Sequence, residues 1–175
     1  MSRYLSVLFF LLMLPLWCAG LEFGQPAQSL NPKVPPPDPI LGTWKLNTAK
    51  SKFSPVLLAL IKSAAPKEQT EVYRLVNDRI ELTATVILSD GSRETFNINW
   101  PAQGGKVPDI GDGLSYIETR MAPGEWLVTT MQEDGKQLTT RHKIVSKDRK
   151  TMRHVVKGFD PQGMLVEQLE VFDKQ

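Results

Sequence analysis

Three side chains with the chemistry for acid–base catalysis or metal binding are predicted to share one surface: His142, His154 and Glu167. The two histidines are the only ones in the 175-residue chain, and period-two alternation places them on neighbouring strands. Imidazole titrates near neutral pH and, beside a carboxylate, can ligate a metal, hold a polar head group or transfer a proton. The simpler alternative, which we favour, is that the three groups only hydrogen-bond one another in the wall of the fold.

The placement of this trio depends on two hairpin registers. In the first hairpin, pairing Ile144 with His154 keeps the arginines and lysines of both strands in solvent, whereas a slip of one residue would bury them. In the second hairpin, a four-residue turn at 160–163 has proline in the second position, as type I turns prefer, and pairs Phe159 with Met164. These registers predict that both histidines and the carboxylate point inward as diagonal neighbours.

The rest of the sequence offers no recognised catalytic constellation. It contains no Gly-x-Ser-x-Gly, no His-Glu-x-x-His and no glycine-rich phosphate loop. We therefore assign no catalytic residue and no cofactor, and expect a protein that is not an enzyme. The formal net charge is only +2 and no basic cluster stands out, which argues against nucleic acid and anionic membranes as partners.

The amino terminus has the pattern of a cleavable signal peptide over residues 1–20. Arg3 precedes an apolar run at 5–17, which is shorter than the roughly 20 residues that span a bilayer. Cys18, Ala19 and Gly20 follow as a small-residue cleavage site. Alternatives are an uncleaved anchor or lipid attachment at Cys18. We expect export to the periplasm or the extracellular space, with no stable membrane insertion after cleavage and no cysteine left in the mature chain.

Beyond the signal, residues 21–39 are rich in proline and form a predicted extended linker, and residues 40–175 form the folded domain. A first strand at 40–47 precedes a short apolar helix at 56–65, which Pro66 ends. Alternating patterns separated by short turns then predict eight more strands, at 68–76, 79–88, 93–100, 114–121, 125–133, 137–146, 151–158 and 163–172.

Short turns make successive strands antiparallel neighbours. A meander this long closes on itself rather than leaving two unpaired edges. We therefore predict an all-β fold, an antiparallel up-and-down meander barrel of about eight or nine strands with one short helix after the first strand. The connection at 101–113 is expected to be either a loop at the barrel rim or a flexible mouth.

The opening of the first strand, Leu41-Gly42-Thr43-Trp44, resembles the Gly-x-Trp signature of the lipocalins and the wider calycin superfamily, in particular small secreted bacterial lipocalin-like domains. The resemblance covers residues 40–175 and implies a barrel with an apolar pocket, in which Trp44 plugs the closed end under an arginine from a late strand. Arg120, Arg141 and Arg153 are the candidates for that arginine. The early helix is similar to the helical lid of the intracellular fatty-acid-binding branch.

The function expected from these patterns is binding of a small apolar, lipid-like ligand inside the barrel. The alternatives are a fully packed barrel with a structural or interaction role and, less favoured, a His/Glu-dependent enzyme or metal-binding protein. The sequence leaves the oligomeric state open. The residues expected to contact the ligand are Trp44, Leu57, Ile61, Phe96, Trp100, His142, His154 and Glu167, of which the last three are also weak metal-ligand candidates.

Overall fold

The computed structural model describes residues 36–60, 65–109 and 113–175, and the described strands form one ten-stranded antiparallel sheet. The sheet order is β4-β3-β2-β1-β10-β9-β8-β7-β6-β5, so it curls into a barrel that is nearly closed between β4 and β5. The strands are β1 (Gly42–Leu46), β2 (Glu68–Val76), β3 (Arg79–Ile87), β4 (Arg93–Pro101), β5 (Gly104–Lys106), β6 (Leu114–Ala122), β7 (Glu125–Gln132), β8 (Gln137–Val145), β9 (Thr151–Phe159) and β10 (Leu165–Lys174).

The meander predicted from sequence is confirmed, with one strand more than expected. The extra strand is β5, which lies in the glycine-rich connection where only a loop was predicted. Its three residues, Gly-Gly-Lys, carry none of the alternating apolar pattern that reveals a strand. Gly104 lies at φ +96, with the backbone of β6 so close that an added Cβ would lie 2.8 Å from the Glu118 carbonyl oxygen.

The helix α1 spans Pro55–Leu60, so it begins one residue before the predicted start. Ser54 caps it: its hydroxyl accepts a hydrogen bond from the Leu57 amide, at 3.4 Å, and proline occupies the first helical position. The predicted continuation to residue 65 falls largely on residues 61–64, which lie outside the described residues. Within the part of the chain that the structure describes, no helix is long and apolar enough to cross a bilayer.

The closed end of the barrel is packed with aromatic side chains. Trp44 is fully buried, and its indole Nε1 donates a 2.7 Å hydrogen bond to the Ile40 carbonyl. Trp100 packs edge-on against both Tyr73 and Trp126, with ring centroids 6.3 and 6.1 Å apart. Such edge-to-face contacts add to the stabilisation from burial alone.

The cation that covers Trp44 is a lysine, and the expectation of an arginine is wrong. Lys174, near the end of β10, places its Nζ 4.2 Å from the centroid of the Trp44 ring. Of the three candidates, Arg120 instead forms an ion pair with Asp38 at 3.0 Å, Arg141 points into the barrel, and Arg153 is exposed.

The predicted register of the β9–β10 hairpin is wrong by one residue. Phe159 pairs with Leu165, not with Met164. The reason is the turn: the Asp160 amide donates to the Met164 carbonyl at 3.0 Å, and Gly163 takes a left-handed φ of +83. This is a three-residue loop ending in a glycine bulge, one residue shorter than the predicted loop. The inward face of β10 is therefore the reverse of the predicted one.

The β8–β9 register is also shifted by one residue. His154 pairs with Lys143, and not with Ile144 as predicted. The turn is one residue longer than assumed, because the Ser146 amide donates to the Thr151 carbonyl and Asp148 accepts from both the Ser146 hydroxyl and the Lys150 amide. The predicted face of β9 is confirmed, but that of β8 is reversed.

Candidate ligand-binding site

The barrel encloses a cavity of about 860 Å³. This volume lies within the range of about 300–1,000 Å³ that is usual for small-molecule sites. Helix α1 and strands β3 and β4 give the cavity an apolar lining, which consists of Leu57, Leu58, Leu82, Val86, Phe96, Ile98 and Trp100. Phe96 points inward from β4 yet is 46% exposed, as expected for a side chain that faces an open space.

Strands at the other end of the sheet, near β5, contribute polar groups to the same cavity. Strands β6, β7 and β8 supply hydroxyls and charges, from Tyr116, Glu118, Thr130, Thr139, Arg141 and Lys143. Strands β2 and β10 add Gln69, Gln168 and Glu170. The cavity therefore has an apolar part and an ionic part. This lining suits an amphipathic ligand, which has an apolar body and an ionic head group.

The barrel interior also holds an ionic cluster, four of whose members line the cavity. It comprises Glu71, Tyr73, Glu118, Arg141, Lys143, His154 and Glu170. Its tightest pair joins Lys143 Nζ to Glu118 Oε1 at 2.8 Å, with both side chains no more than 5% exposed. The Lys143 ammonium also lies 4.7 Å from the centroid of the Trp100 ring. The carboxylate of Glu118 therefore neutralises the charge of Lys143, and the ammonium is not available to bind an anionic ligand.

His154 is fully buried and connects two carboxylates. Its Nδ1 lies 3.2 Å from Glu170 Oε2, and its Nε2 lies 3.8 Å from Glu71 Oε2. Burial acts to raise the pKa of Glu170, but the hydrogen bond with His154 and the positive charge of Arg141 outweigh it and lower that pKa to about 2. Glu170 is therefore ionised inside the barrel at any ordinary pH.

The carboxylate of Glu71 accepts hydrogen bonds from two residues of its own strand, β2. The Tyr73 hydroxyl donates to Glu71 Oε2 at 2.6 Å, and the Gln69 amide donates to Oε1 at 2.8 Å. Burial, followed by the charge of Glu71, raises the pKa of Tyr73 well above its ordinary value. Tyr73 accordingly keeps its proton and serves as a hydrogen-bond donor.

Arg141 differs from the other members of the cluster. Its side chain lines the cavity and is half-buried, and within residues 36–60, 65–109 and 113–175 the structure gives it no hydrogen bond or ion pair. Burial acts to lower its pKa, but Glu170 and Glu71 outweigh this effect and raise it, so the guanidinium stays charged. Arg141 is therefore a cation with five unused N–H donors that faces a cavity, in the geometry that binds a carboxylate through two hydrogen bonds.

The structure brings some of the predicted ligand contacts together. Leu57, Phe96 and Trp100 line the cavity. His154 lies inside the barrel as predicted, buried in the ionic cluster. Trp44 is buried at the closed end and is not among the lining residues. Ile61 lies outside the described residues.

The predicted trio is not assembled. His142 lies on the outer face, where its Nε2 is 2.8 Å from Glu125 Oε1. Glu167 is exposed and opposite Lys157, on the other side of the sheet from His154. Both errors follow from the two register shifts, and the enzyme and metal hypotheses that rested on this trio lose their basis. Among the described residues no group of three or more histidine, cysteine or acidic side chains has the arrangement of a metal site.

The chain folds as a nearly closed antiparallel up-and-down barrel, the architecture that the Gly42-x-Trp44 resemblance implied. Among solved structures, it is similar to secretory abundant heat soluble protein 4 from Ramazzottius varieornatus, at a TM-score of 0.52 and 14% identity over 79% of this chain and 96% of that one. At this identity the likeness concerns the fold alone.

Two further solved structures are similar at TM-scores below 0.5. The zebrafish ileal bile acid-binding protein complexed with cholic acid matches at a TM-score of 0.47 and 12% identity, covering 78% of this chain and 99% of that chain. The siderocalin Ex-FABP matches at 0.41 and 11% identity, covering 78% and 74%. No protein-family model and no curated protein matches the sequence.

Proposed function

We propose that this protein binds one small amphipathic anion inside its barrel, with an apolar body against α1, β3 and β4 and a carboxylate or similar head group at Arg141. The cavity supports the first half of the proposal. Its volume lies within the usual range for small-molecule sites and its lining is partly apolar, so most of a lipid-like ligand would be removed from water.

The observation that carries the proposal is the state of Arg141. Each carboxylate of the cluster already has a donor from the protein: Glu118 has Lys143, Glu71 has Tyr73, and Glu170 has His154. The guanidinium has no such acceptor among the described residues. A bound anion would supply one, and the surrounding low dielectric would strengthen that contact.

A matched pair of arginine variants tests this proposal. Hexadecanoate should displace a fluorescent apolar probe from the purified protein, and Arg141→Gln should weaken hexadecanoate binding by about tenfold or more, the value of a charge-assisted hydrogen bond. Arg153→Gln, on the exposed face of the neighbouring strand β9, should leave the affinity unchanged. Hexadecanol, which lacks the negative charge, should bind the Arg141→Gln variant and the unmodified protein equally.

Two results would contradict the proposal. If neither the probe nor hexadecanoate binds, the cavity is not a ligand site for molecules of this class. If hexadecanoate binds but the two arginine variants behave alike, the head group does not lie at Arg141.

We also propose that the protein works outside the cytoplasm, after removal of residues 1–20. The support is the sequence of the amino terminus, with its short apolar run and small-residue cleavage site. Sequencing of the amino terminus of the exported protein should begin at Leu21. A start at Met1, or a lipid on Cys18, would overturn this part of the proposal.

A further inference from the structure

A row of hydroxyl groups lies on the cavity wall next to Arg141. Tyr116, Thr130 and Thr139 occupy three successive strands, β6, β7 and β8, and are directly paired: Tyr116 with Thr130, and Thr130 with Thr139. All three line the cavity. We call them the hydroxyl row. Directly paired residues have Cβ atoms about 4.5–5.5 Å apart, so the three side chains form a continuous strip.

The two threonines of the row have unused hydrogen-bonding capacity. Within the described ranges, the side chains of Thr130 and Thr139 make no hydrogen bond, although both are partly buried. A threonine hydroxyl both donates and accepts, so each can serve a hydroxyl of a ligand. On strands β3 and β4 the cavity lining is apolar except for the exposed Glu94. The hydroxyl groups are therefore concentrated on one wall.

The row also has a fixed position relative to the anion site. Thr139 and Arg141 are two residues apart on the same face of β8, which places their Cα atoms about 7 Å apart along the strand, roughly the length of five methylene steps. A ligand whose carboxylate contacts Arg141 and whose chain runs along this wall would pass the hydroxyl row within its first several carbons.

We infer that the preferred ligand is a hydroxylated amphipathic anion, with a hydroxyl several carbons from its acidic head, rather than a plain fatty acid. This inference rests on the proposed function, because it assumes that the anion lies at Arg141. A plain hydrocarbon chain against this wall would strip water from Thr130 and Thr139 without replacing their hydrogen bonds, which costs binding free energy. A hydroxyl in the right place restores those bonds.

The test compares three acids of equal chain length: hexadecanoate, 6-hydroxyhexadecanoate and 16-hydroxyhexadecanoate. The unmodified protein should bind the 6-hydroxy acid about tenfold more tightly than hexadecanoate, the effect of one or two neutral hydrogen bonds. The 16-hydroxy acid, whose hydroxyl lies at the far end of the chain, should show no such gain.

Paired threonine variants locate the effect. Thr130→Val with Thr139→Val removes two hydroxyls with almost no change of shape, and valine suits a strand. This variant should bind 6-hydroxyhexadecanoate and hexadecanoate equally. Thr129→Val with Thr140→Val is the control, because these two residues form the neighbouring pair on the outer face of the same strands. The control should keep the tenfold preference.

The outcomes separate this inference from the proposed function. If none of the acids binds, the proposed function itself fails. If hexadecanoate and 6-hydroxyhexadecanoate bind equally well to the unmodified protein, or if the preference survives in the inner threonine variant, the proposed function stands and the inference is overturned.

Discussion

Lys174 lies over Trp44, with its Nζ 4.2 Å from the ring centroid, and the same ammonium donates a 2.6 Å hydrogen bond to the Leu41 carbonyl. The contact joins the last strand, β10, to the residues at the start of β1. Burial and the neighbouring positive charge of Arg149 lower the pKa of Lys174. The contact with the ring face partly compensates for the hydration that the ammonium loses on burial. Trp44 therefore belongs to the packed core of the barrel, and neither it nor Lys174 is among the residues that line the cavity.

Replacement of Trp44 tests how much the closed end contributes to stability. Trp44→Ala should lower the free energy of unfolding by about 3–5 kcal/mol, because it removes a fully buried large aromatic side chain. Phe159→Ala is a suitable control, because that aromatic ring is 53% exposed, and it should cost less than about 1 kcal/mol. Denaturant melts measure both values. A loss from Trp44→Ala as small as that of the control would show that the closed end is not a packed core.

Acid should destabilise the protein through Glu170. The folded pKa is about 2 and the ordinary value is 4.5, so the ionised carboxylate stabilises the fold fully above about pH 4.5 and loses this effect as the pH falls toward 2. The difference in unfolding free energy between the unmodified protein and Glu170→Gln should therefore shrink by about 2 kcal/mol from pH 7 to pH 3.

Glu167→Gln is the matched control for this experiment, because Glu167 lies on the same strand but is exposed on the outer face. Its unfolding free energy should follow that of the unmodified protein at both pH values. If the two glutamate variants show the same pH dependence, Glu170 is not the buried, ion-paired group that the structure describes.

The Lys143–Glu118 pair should behave as a buried unit. Lys143→Met leaves Glu118 as an uncompensated buried charge and should cost about 3–5 kcal/mol. Replacing both residues, as Lys143→Met with Glu118→Leu, removes that charge and should be less destabilising than Lys143→Met alone. Chemical denaturation of the single and double variants measures the coupling. Additive losses would mean that the two groups do not depend on each other.

All the strands except β5, the position of the helix and the fold class could be predicted from sequence because they depend on local signals: alternation, turn residues and the Gly42-x-Trp44 motif. The orientation of β8 and β10 was predicted wrongly, because it depends on single-residue differences in two turns. The three-residue loop ending at Gly163 does have a signal, since a type I turn followed by glycine is a common hairpin connection. A prediction based on this hairpin connection would have placed Glu170 inside the barrel and Glu167 outside.

The ionic cluster was missed for a different reason. The rule that charged residues face solvent favoured a register with Arg141 and Lys143 outside. The rule fails here because the compensating carboxylates, Glu71, Glu118 and Glu170, come from β2, β6 and β10, none of which pairs with β8. Glu118 and Glu170 each lie two strands away from β8, across β7 and β9, and Glu71 lies on β2, so no local pattern on β8 reveals these partners. Once the closed barrel is known, the cluster and the free guanidinium follow directly.

The most direct test of an anion bound at Arg141 is carbon NMR of hexadecanoate labelled with ¹³C at its carboxyl carbon. Titrated into the protein, the label should give one saturable bound resonance, and its shift should stay constant as the pH falls through the ordinary carboxyl range, because an adjacent guanidinium favours the ionised form. In Arg141→Gln that resonance should titrate near the ordinary carboxyl pKa or be lost. A bound carboxyl that titrates normally in the unmodified protein, or no bound resonance at saturating ligand, would contradict the account.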